Sequence, residues 1–217
     1  MMARDDMPNR LSLSPRQRHD DVVAAAVAVL QSGGIVAYPT DTLYGLAVDP
    51  RHRGAVLDLF DVKGRDRSQA MPLIAADASQ AEMLAREWTP LAERLAQRGW
   101  PGPLTLVVRA SLALPPELLG GRDTVAVRVP DAAFARSTAW GLGHPITSTS
   151  ANRSGQPAAR TADDIRRTLG SAIGLLVDGG PSPVVVPSTI VDVTGDVPLL
   201  VRAGAVPWER VLDFSAG

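Results

Sequence analysis

The chain has 217 residues, of which 45% are hydrophobic and 21% charged, and its formal net charge at pH 7 is −1. This is the composition of an ordinary globular protein, and the near-neutral charge excludes a global attraction to nucleic acid or to an anionic membrane. The absence of cysteine excludes disulfides, a thiolate nucleophile and a Cys-ligated metal. The first 18 residues lack the apolar core of a signal peptide, so we expect a cytoplasmic protein.

Apolar periodicity and turn residues predict helices and strands that interleave along the chain. The predicted elements are, in chain order, a helix at 22–30, strand 35–38, helix 53–62, strand 72–75, helices 78–86 and 90–98, strands 104–108 and 124–129, helix 132–139, strand 146–150, helix 162–169, strands 175–177, 184–186, 189–193 and 199–201, and a helix at 207–212.

Several predicted strands are continuous apolar runs, which is typical of strands buried on both faces. The interleaving therefore predicts an α/β (or α+β) fold, a single domain built on one mixed sheet flanked by helices. We place this domain at residues 19–212 and expect flexible tails at 1–18 and 213–217.

Several common catalytic patterns are missing from the sequence. It has neither a Walker-type phosphate loop nor a dinucleotide fingerprint. The three histidines, His19, His52 and His144, share no metal-ligand spacing. We therefore predict no metal site on the protein and no Ser-His-Asp triad.

The basic residues are unusual, because 21 are arginine and one, Lys63, is lysine. A position that stays lysine in such a chain favours a need for a compact, rotatable ammonium. Lys63, Gly64 and Arg65 end a predicted helix, where basic groups complement the helix dipole. The same three residues could instead form a cradle for a polyphosphate, with Arg65 binding two oxygens at once.

Polar residues also follow or interrupt several apolar strands. Residues 147–150 are four consecutive hydroxyl residues, and Asn152 follows in a predicted turn. If this stretch is a strand, half of its hydroxyls face inward and need hydrogen-bond partners. Arg128 lies in an otherwise apolar strand and needs an anion, either a structural carboxylate or the carboxylate of a ligand.

Seven short motifs occur in a fixed order: P-T-D-T-x-Y-G-L, K-G-R, P-G-P-x-T, V-A-V-R-x-P, S-x-S-A-N-x-S-G, S-T-I-x-D and L-x-R-x-G. Together, over about residues 20–206, they resemble the YrdC family of L-threonylcarbamoyladenylate synthases, in its short, single-domain form. The resemblance implies a twisted α/β sheet with a concave, locally positive cavity. It also implies a reaction that joins L-threonine, bicarbonate and ATP, brought with Mg²⁺, into threonylcarbamoyl-AMP and pyrophosphate.

The resemblance assigns a role to each matching residue. Residues implied for catalysis and ATP binding are Lys63, Arg65, Ser150 and Asn152. Further nucleotide contacts are implied for Thr124 and Arg202. Threonine would be bound by Thr40, Arg128, Ser148 and Ser188. The implied partners are a threonylcarbamoyl transferase complex that modifies tRNA and, weakly, tRNA itself, with no membrane.

One loop departs from the family's pattern. Asp66 replaces a proline, two additional residues precede Pro72, and Ala76 stands where the family has a histidine. The contact of this loop with threonine is therefore open. Two other functions are also considered: a non-catalytic RNA-binding module, and a carbamoyl-adenylate-forming module of hydrogenase maturation.

Overall fold

The structure, a computed structural model, describes residues 8–13, 18–183 and 186–216. In this part of the chain, eight α-helices and eleven strands form a mixed α/β fold with two sheets. The strands are β1 (Asn9–Ser12), β2 (Val36–Tyr38), β3 (Gly45–Ala47), β4 (Leu73–Ile74), β5 (Leu104–Arg109), β6 (Thr124–Arg128), β7 (Ile146–Thr147), β8 (Thr149–Ser150), β9 (Leu175–Asp178), β10 (Thr189–Asp192) and β11 (Leu199–Arg202). The helices are α1 (His19–Gln31), α2 (Arg53–Lys63), α3 (Ala78–Glu82), α4 (Pro90–Gly99), α5 (Pro116–Leu119), α6 (Ala133–Leu142), α7 (Ala162–Leu169) and α8 (Trp208–Ser215).

Both sheets mix parallel and antiparallel neighbours. The first has the order β1-β9-β2-β3-β8 and the second β11-β10-β5-β6-β4-β7. Strand β7 pairs with β4 in the second sheet, whereas β8 pairs with β3 in the first. Ser148 alone separates β7 from β8, so the hydroxyl run crosses from one sheet to the other at this residue.

Three groups of buried side chains hold the layers together. One packs α2 and α7 on the first sheet, and another packs α4 and α8 on the second. The third joins α1 and α6 to both sheets, because it contains Val36 and Leu175 of the first sheet and Ile74 and Ile146 of the second. The α1–α6 layer therefore fixes how the two sheets meet.

Helix α2 determines where Lys63 lies. Its first turn is capped by His52, whose Nδ1 accepts a hydrogen bond from the Ala55 amide at 3.2 Å. The helix ends at Lys63 because Gly64 has a φ of 57°, in the left-handed region that glycine adopts without strain. Lys63 is thus held on a rigid helical turn rather than on a loop.

The α/β prediction is confirmed, but the single sheet is wrong, because residues 146–150 form two short strands in different sheets. Two short elements, β3 and α5, are not among the predicted ones, because they have only three and four residues. The helix predicted at 78–86 ends at Glu82, since Ala85 pairs with Ala110 of a neighbouring chain segment.

The ends of the chain also differ from the sequence prediction. Residues of the expected N-terminal tail form β1, which pairs in parallel with β9, and Arg10 donates to Asp178 at 2.6 Å. Helix α8 continues into the expected C-terminal tail as far as Ser215. The predicted strand 184–186 falls mostly on residues 184–185, outside the described residues. Across the described ranges, no helix has the length and apolar character needed to cross a bilayer.

The central strand β5 offers a test of the second sheet's core. Leu106 is fully buried, whereas Leu112 is 84% exposed. We expect Leu106→Ala to lower the free energy of unfolding by about 2–5 kcal/mol, because it leaves a cavity between strand and helix. Leu112→Ala, the control, should change it by less than about 0.5 kcal/mol. Urea unfolding measures both, and equal effects would contradict this description of the core.

Candidate functional site

A cavity of about 480 Å³ is lined by residues of both sheets and of the loops beside them. Its arginines are Arg65, Arg122, Arg128 and Arg202. Its serines and threonines are Thr40, Thr42, Thr105, Thr124, Ser148, Thr149, Ser150 and Ser188. None of the described residues that line it carries a carboxylate. The cavity therefore suits an anionic ligand with many hydrogen-bonding groups.

Most of the site residues predicted from the sequence come together here. Those that line the cavity are Thr40, Arg65, Thr124, Arg128, Ser148, Ser150, Ser188 and Arg202. The other two, Lys63 and Asn152, lie directly behind its wall, in contact with the Ser150 segment. Sequence reasoning did not single out Thr42, Thr105 or Arg122 for the site, although P-T-D-T and P-G-P-x-T contain the first two.

Lys63 is only 2% exposed, and carbonyl oxygens surround its ammonium. Nζ donates to the backbone oxygens of Ser150 at 2.6 Å and Asn152 at 2.7 Å, and to Asn152 Oδ1 at 3.1 Å. Burial, with a smaller contribution from the charge of Arg65, lowers the pKa of Lys63 to about 8. Since three acceptors favour the ammonium, Lys63 is charged at pH 7 and ties α2 to the segment 150–152.

The segment that Lys63 holds has further bonds of its own. Ser150 Oγ donates to Asn152 Oδ1 at 2.6 Å, and Asn152 Nδ2 donates to the Gln156 oxygen. The Ser154 amide donates to the Lys63 oxygen at 2.7 Å. Every polar atom of the Asn152 side chain is thus used within the protein. Ser150, by contrast, lines the cavity.

Arg65 reaches the cavity from the loop after α2. Its Nη2 donates to the Ala70 oxygen at 2.8 Å, while its buried Nε has no hydrogen-bond partner among the described residues. Burial lowers the pKa of Arg65, which stays charged at neutral pH. A guanidinium with a single backbone partner retains donors for a ligand.

Arg128 is buried and held on three sides. Nε donates to the Gly102 oxygen at 2.8 Å, Nη1 donates to Thr42 Oγ1 at 3.1 Å, and Nη2 pairs with Asp41. Burial lowers the pKa of Arg128, and the Asp41 carboxylate opposes that effect. The sequence left open which anion pairs with Arg128. In the structure that anion is the carboxylate of Asp41, and Arg128 also lines the cavity.

A further part of the cavity lining is a hydrogen-bonded group of Arg202, Ser188 and Thr105. Arg202 donates from Nη2 to the Ser188 oxygen at 2.7 Å and to Ser188 Oγ at 3.1 Å. Ser188 Oγ shares a hydrogen bond of 2.8 Å with Thr105 Oγ1. Burial and the nearby charge of Arg128 lower the pKa of Arg202. A Cβ on Gly204 would lie 2.4 Å from the Pro187 oxygen, so glycine permits this close backbone approach.

Thr40 and Ser148 lie near Arg128. Thr40 Oγ1 donates to the Leu43 oxygen at 2.7 Å and so shapes the turn after β2. Ser148 Oγ accepts from the hydroxyl of Tyr38 at 3.3 Å. Burial raises the pKa of Tyr38 to about 12, so the tyrosine is a neutral donor. Because Ser148 Oγ accepts this bond, its own hydrogen is available for another acceptor.

The loop that departs from the family's pattern keeps a contact with the cavity. Gln69 and Ala70 line it, whereas Ala76, in the histidine position, does not. Ala76 instead packs in the α1–α6 layer, and its amide donates to Gln80 Oε1 at 2.8 Å.

Within the described ranges, no group of three or more His, Asp or Glu residues could hold a metal ion.

The chain is similar to known proteins over most of its length. The family model Sua5_yciO_yrdC, described as "Telomere recombination", matches residues 28–204. A protein of Thiobacillus denitrificans named threonylcarbamoyl-AMP synthase is 44% identical over 175 residues, which cover 78% of this chain and 90% of the relative. A protein of the same name from Pyrococcus abyssi is 38% identical over 189 residues, 87% of this chain and 56% of the relative.

A solved structure is similarly close. Sua5 from P. abyssi, complexed with L-threonine, superposes with a TM-score of 0.89 at 36% identity and covers 94% of this chain and 60% of that one. The chain thus spans little more than half the length of the Pyrococcus relative, whereas it matches most of the Thiobacillus protein.

The buried ion pair of Asp41 and Arg128 can be tested by stability. Their side chains are 14% and 9% exposed, against 63% and 48% for Asp123 and Arg109, which also form an ion pair. We expect Asp41→Asn to lower the free energy of unfolding by about 3 kcal/mol, because it leaves a buried guanidinium uncompensated. Asp123→Asn, the matched control, should cost less than about 1 kcal/mol. Urea unfolding measures both losses, and losses of similar size in the two variants would contradict a buried ion pair.

Proposed function

The chain belongs to the Sua5/YciO/YrdC family, and we propose that it is an L-threonylcarbamoyladenylate synthase. It would join L-threonine, bicarbonate and ATP into threonylcarbamoyl-AMP and pyrophosphate. The names of the relatives in Thiobacillus and Pyrococcus support this activity, and the threonine-bound Sua5 structure supports the amino-acid substrate.

The observation that carries the proposal is the distribution of charge in the cavity. Four arginines line it, and only Arg128 has a carboxylate partner among the described residues. The other three, Arg65, Arg122 and Arg202, leave a positive surface suited to a polyphosphate. Arg128 is already paired with Asp41 and lies close to the hydroxyls of Thr42 and Ser148. This part of the cavity is therefore less positive and suits an amino acid, which carries less charge than ATP.

The proposed chemistry needs position and charge rather than an enzyme nucleophile. The amine of threonine attacks carbon dioxide derived from bicarbonate and, after losing a proton, becomes a carbamate. A carbamate oxygen then attacks the α-phosphorus of ATP, and the bond to pyrophosphate breaks. Guanidinium groups that offset the phosphate charge and hold the reactants together accelerate such a transfer.

The residues divide into those that contact the reactants and those that position them. We assign Arg65, Ser150, Thr124 and Arg202 to the nucleotide. We assign Thr40, Arg128, Ser148 and Ser188 to threonine, with the carboxylate on Arg128.

Lys63 and Asn152 receive a modified role. The sequence predicts a direct phosphate contact for Lys63, but the three donors of its ammonium bind carbonyl oxygens of the protein. We therefore assign Lys63, together with Asn152, as a positioning residue. It holds Ser150 at the cavity and places a positive charge behind the wall.

Mg²⁺ and the downstream partners also belong to the proposal. The described residues of the cavity lining have hydroxyl groups but no carboxylate with which to bind a cation. Any Mg²⁺ would therefore be held by the phosphates of ATP as part of the substrate. The product would pass, in the cytoplasm, to a transferase complex that modifies tRNA.

A non-catalytic RNA-binding module is disfavoured, since Tyr44 is the single aromatic residue in the described lining and bases have little to stack on.

Pyrophosphate release tests the activity directly. The protein is incubated with ATP and bicarbonate, with and without L-threonine, and the nucleotide products are identified by mass spectrometry. We expect release that depends on both threonine and bicarbonate, together with threonylcarbamoyl-AMP. If ATP binds but no amino acid supports its turnover, the synthase assignment fails.

The proposed role of Lys63 predicts a pH dependence. Its pKa is lowered to about 8. The ammonium that holds the segment 150–152 is therefore present at a pH below about 8 and loses its proton at a higher pH. The rate of pyrophosphate release should therefore fall as the pH rises through about 8, well below the usual lysine pKa of about 10.4. Rates measured from about pH 6 to about pH 10 check this expectation.

Two variants serve as controls for the pH profile. Lys63→Ala lacks the amine and should be slow, by roughly a hundredfold or more, at every pH. Arg67→Ala removes an exposed cation of the same basic run and should keep the wild-type profile. A wild-type rate that stays constant up to about pH 10 would show that the charge of Lys63 is not required.

A further inference from the structure

The turn before β6 and the loop after α2 are built against each other. The Met71 amide donates to the Leu118 oxygen at 2.7 Å. A Cβ on Gly120, whose φ is 56°, would lie 2.4 Å from the Ser68 oxygen and 2.8 Å from the Ala70 nitrogen. Residues 118–122 and 65–71 therefore form one continuous surface, which we call the loop–turn wall.

This wall carries two of the cavity's four arginines. Arg65 is fixed to it through its bond to the Ala70 oxygen at 2.8 Å. Arg122 belongs to the turn, and its amide donates to the Leu119 oxygen at 3.0 Å. Both side chains line the cavity, together with Gln69 and Ala70 of the same wall.

Arg122 is not neutralised by the acidic residues beside it in sequence. Asp123 pairs with Arg109 at 2.9 Å, and Glu117 pairs with Arg53. Among the described residues, the Arg122 guanidinium makes no hydrogen bond or ion pair. An arginine that keeps all its donors at a cavity beside a second unneutralised arginine attracts a ligand with several negative charges.

The wall includes the loop that departs from the family's pattern. Asp66, which replaces the proline, accepts a hydrogen bond from the Ser68 amide at 2.8 Å and so shapes the turn that contacts Gly120. Asp66 therefore helps to hold the turn that carries Arg122 at the cavity.

We propose that Arg122 is a further nucleotide-binding residue, and that the loop–turn wall presents Arg65 and Arg122 together to the phosphates of ATP. The inference rests on the proposed function, since it takes ATP as the ligand. It concerns a residue that neither the motifs nor the resemblance assigns to the site.

The test compares Arg122→Ala with Arg86→Ala. Arg86 is also exposed and makes no side-chain hydrogen bond or ion pair among the described residues, but it does not line the cavity. The dissociation constants of ATP and of adenosine are measured by calorimetry in the absence of threonine. We expect Arg122→Ala to weaken ATP about tenfold, the effect of losing one charge-assisted contact, and to leave adenosine unchanged. Arg86→Ala should alter neither.

Different results overturn different parts of the account. If Arg122→Ala binds ATP as well as the wild type, or loses adenosine as strongly as ATP, then Arg122 does not bind phosphate. If the wild type forms the adenylate in that case, the proposed function stands and the inference alone fails. If the wild type binds no ATP, the proposed function fails, and the inference fails with it.

Discussion

The buried ammonium of Lys63 is the interaction on which the site depends most. It joins the end of α2 to the segment 150–152 through three carbonyl oxygens, and the Ser154 amide returns a bond to the Lys63 oxygen. A buried charge is costly unless acceptors surround it, so these bonds exclude looser arrangements of the segment. The same charge lies behind the cavity wall that Ser150 lines. The Lys63 side chain therefore both orders the segment 150–152 and favours anions in the cavity.

The two-sheet architecture explains why a cavity forms at this place. The hydroxyl run leaves the second sheet at Thr147 and enters the first at Thr149, so Ser148 lies where the sheets separate. The α1–α6 layer, packed on both sheets, holds that separation. Arg128, neutralised by Asp41, and the unneutralised Arg65, Arg122 and Arg202 then give the cavity regions of different charge. This asymmetry suits a reaction between an amino acid and a nucleotide polyphosphate.

The sequence predicted the fold class, and most of the site residues that it predicted line the cavity, because apolar periodicity and local motifs are short-range properties. It did not predict that 146–150 splits between two sheets, since pairing partners are distant in sequence. It left the anion of Arg128 open because Asp41 lies 87 residues away. Arg122 was missed because it lies outside the motifs, in a turn that packs against the loop after α2.

The chain's single lysine permits a direct measurement of the central interaction. Protein labelled with ¹⁵N-lysine gives one side-chain resonance, from Lys63, which can be followed against pH and against added ATP. We expect this resonance to titrate near pH 8 and to shift when ATP occupies the cavity beside Ser150. A titration near the ordinary lysine value of about 10.4, with no response to ATP, would contradict both the buried ammonium and its place behind the nucleotide.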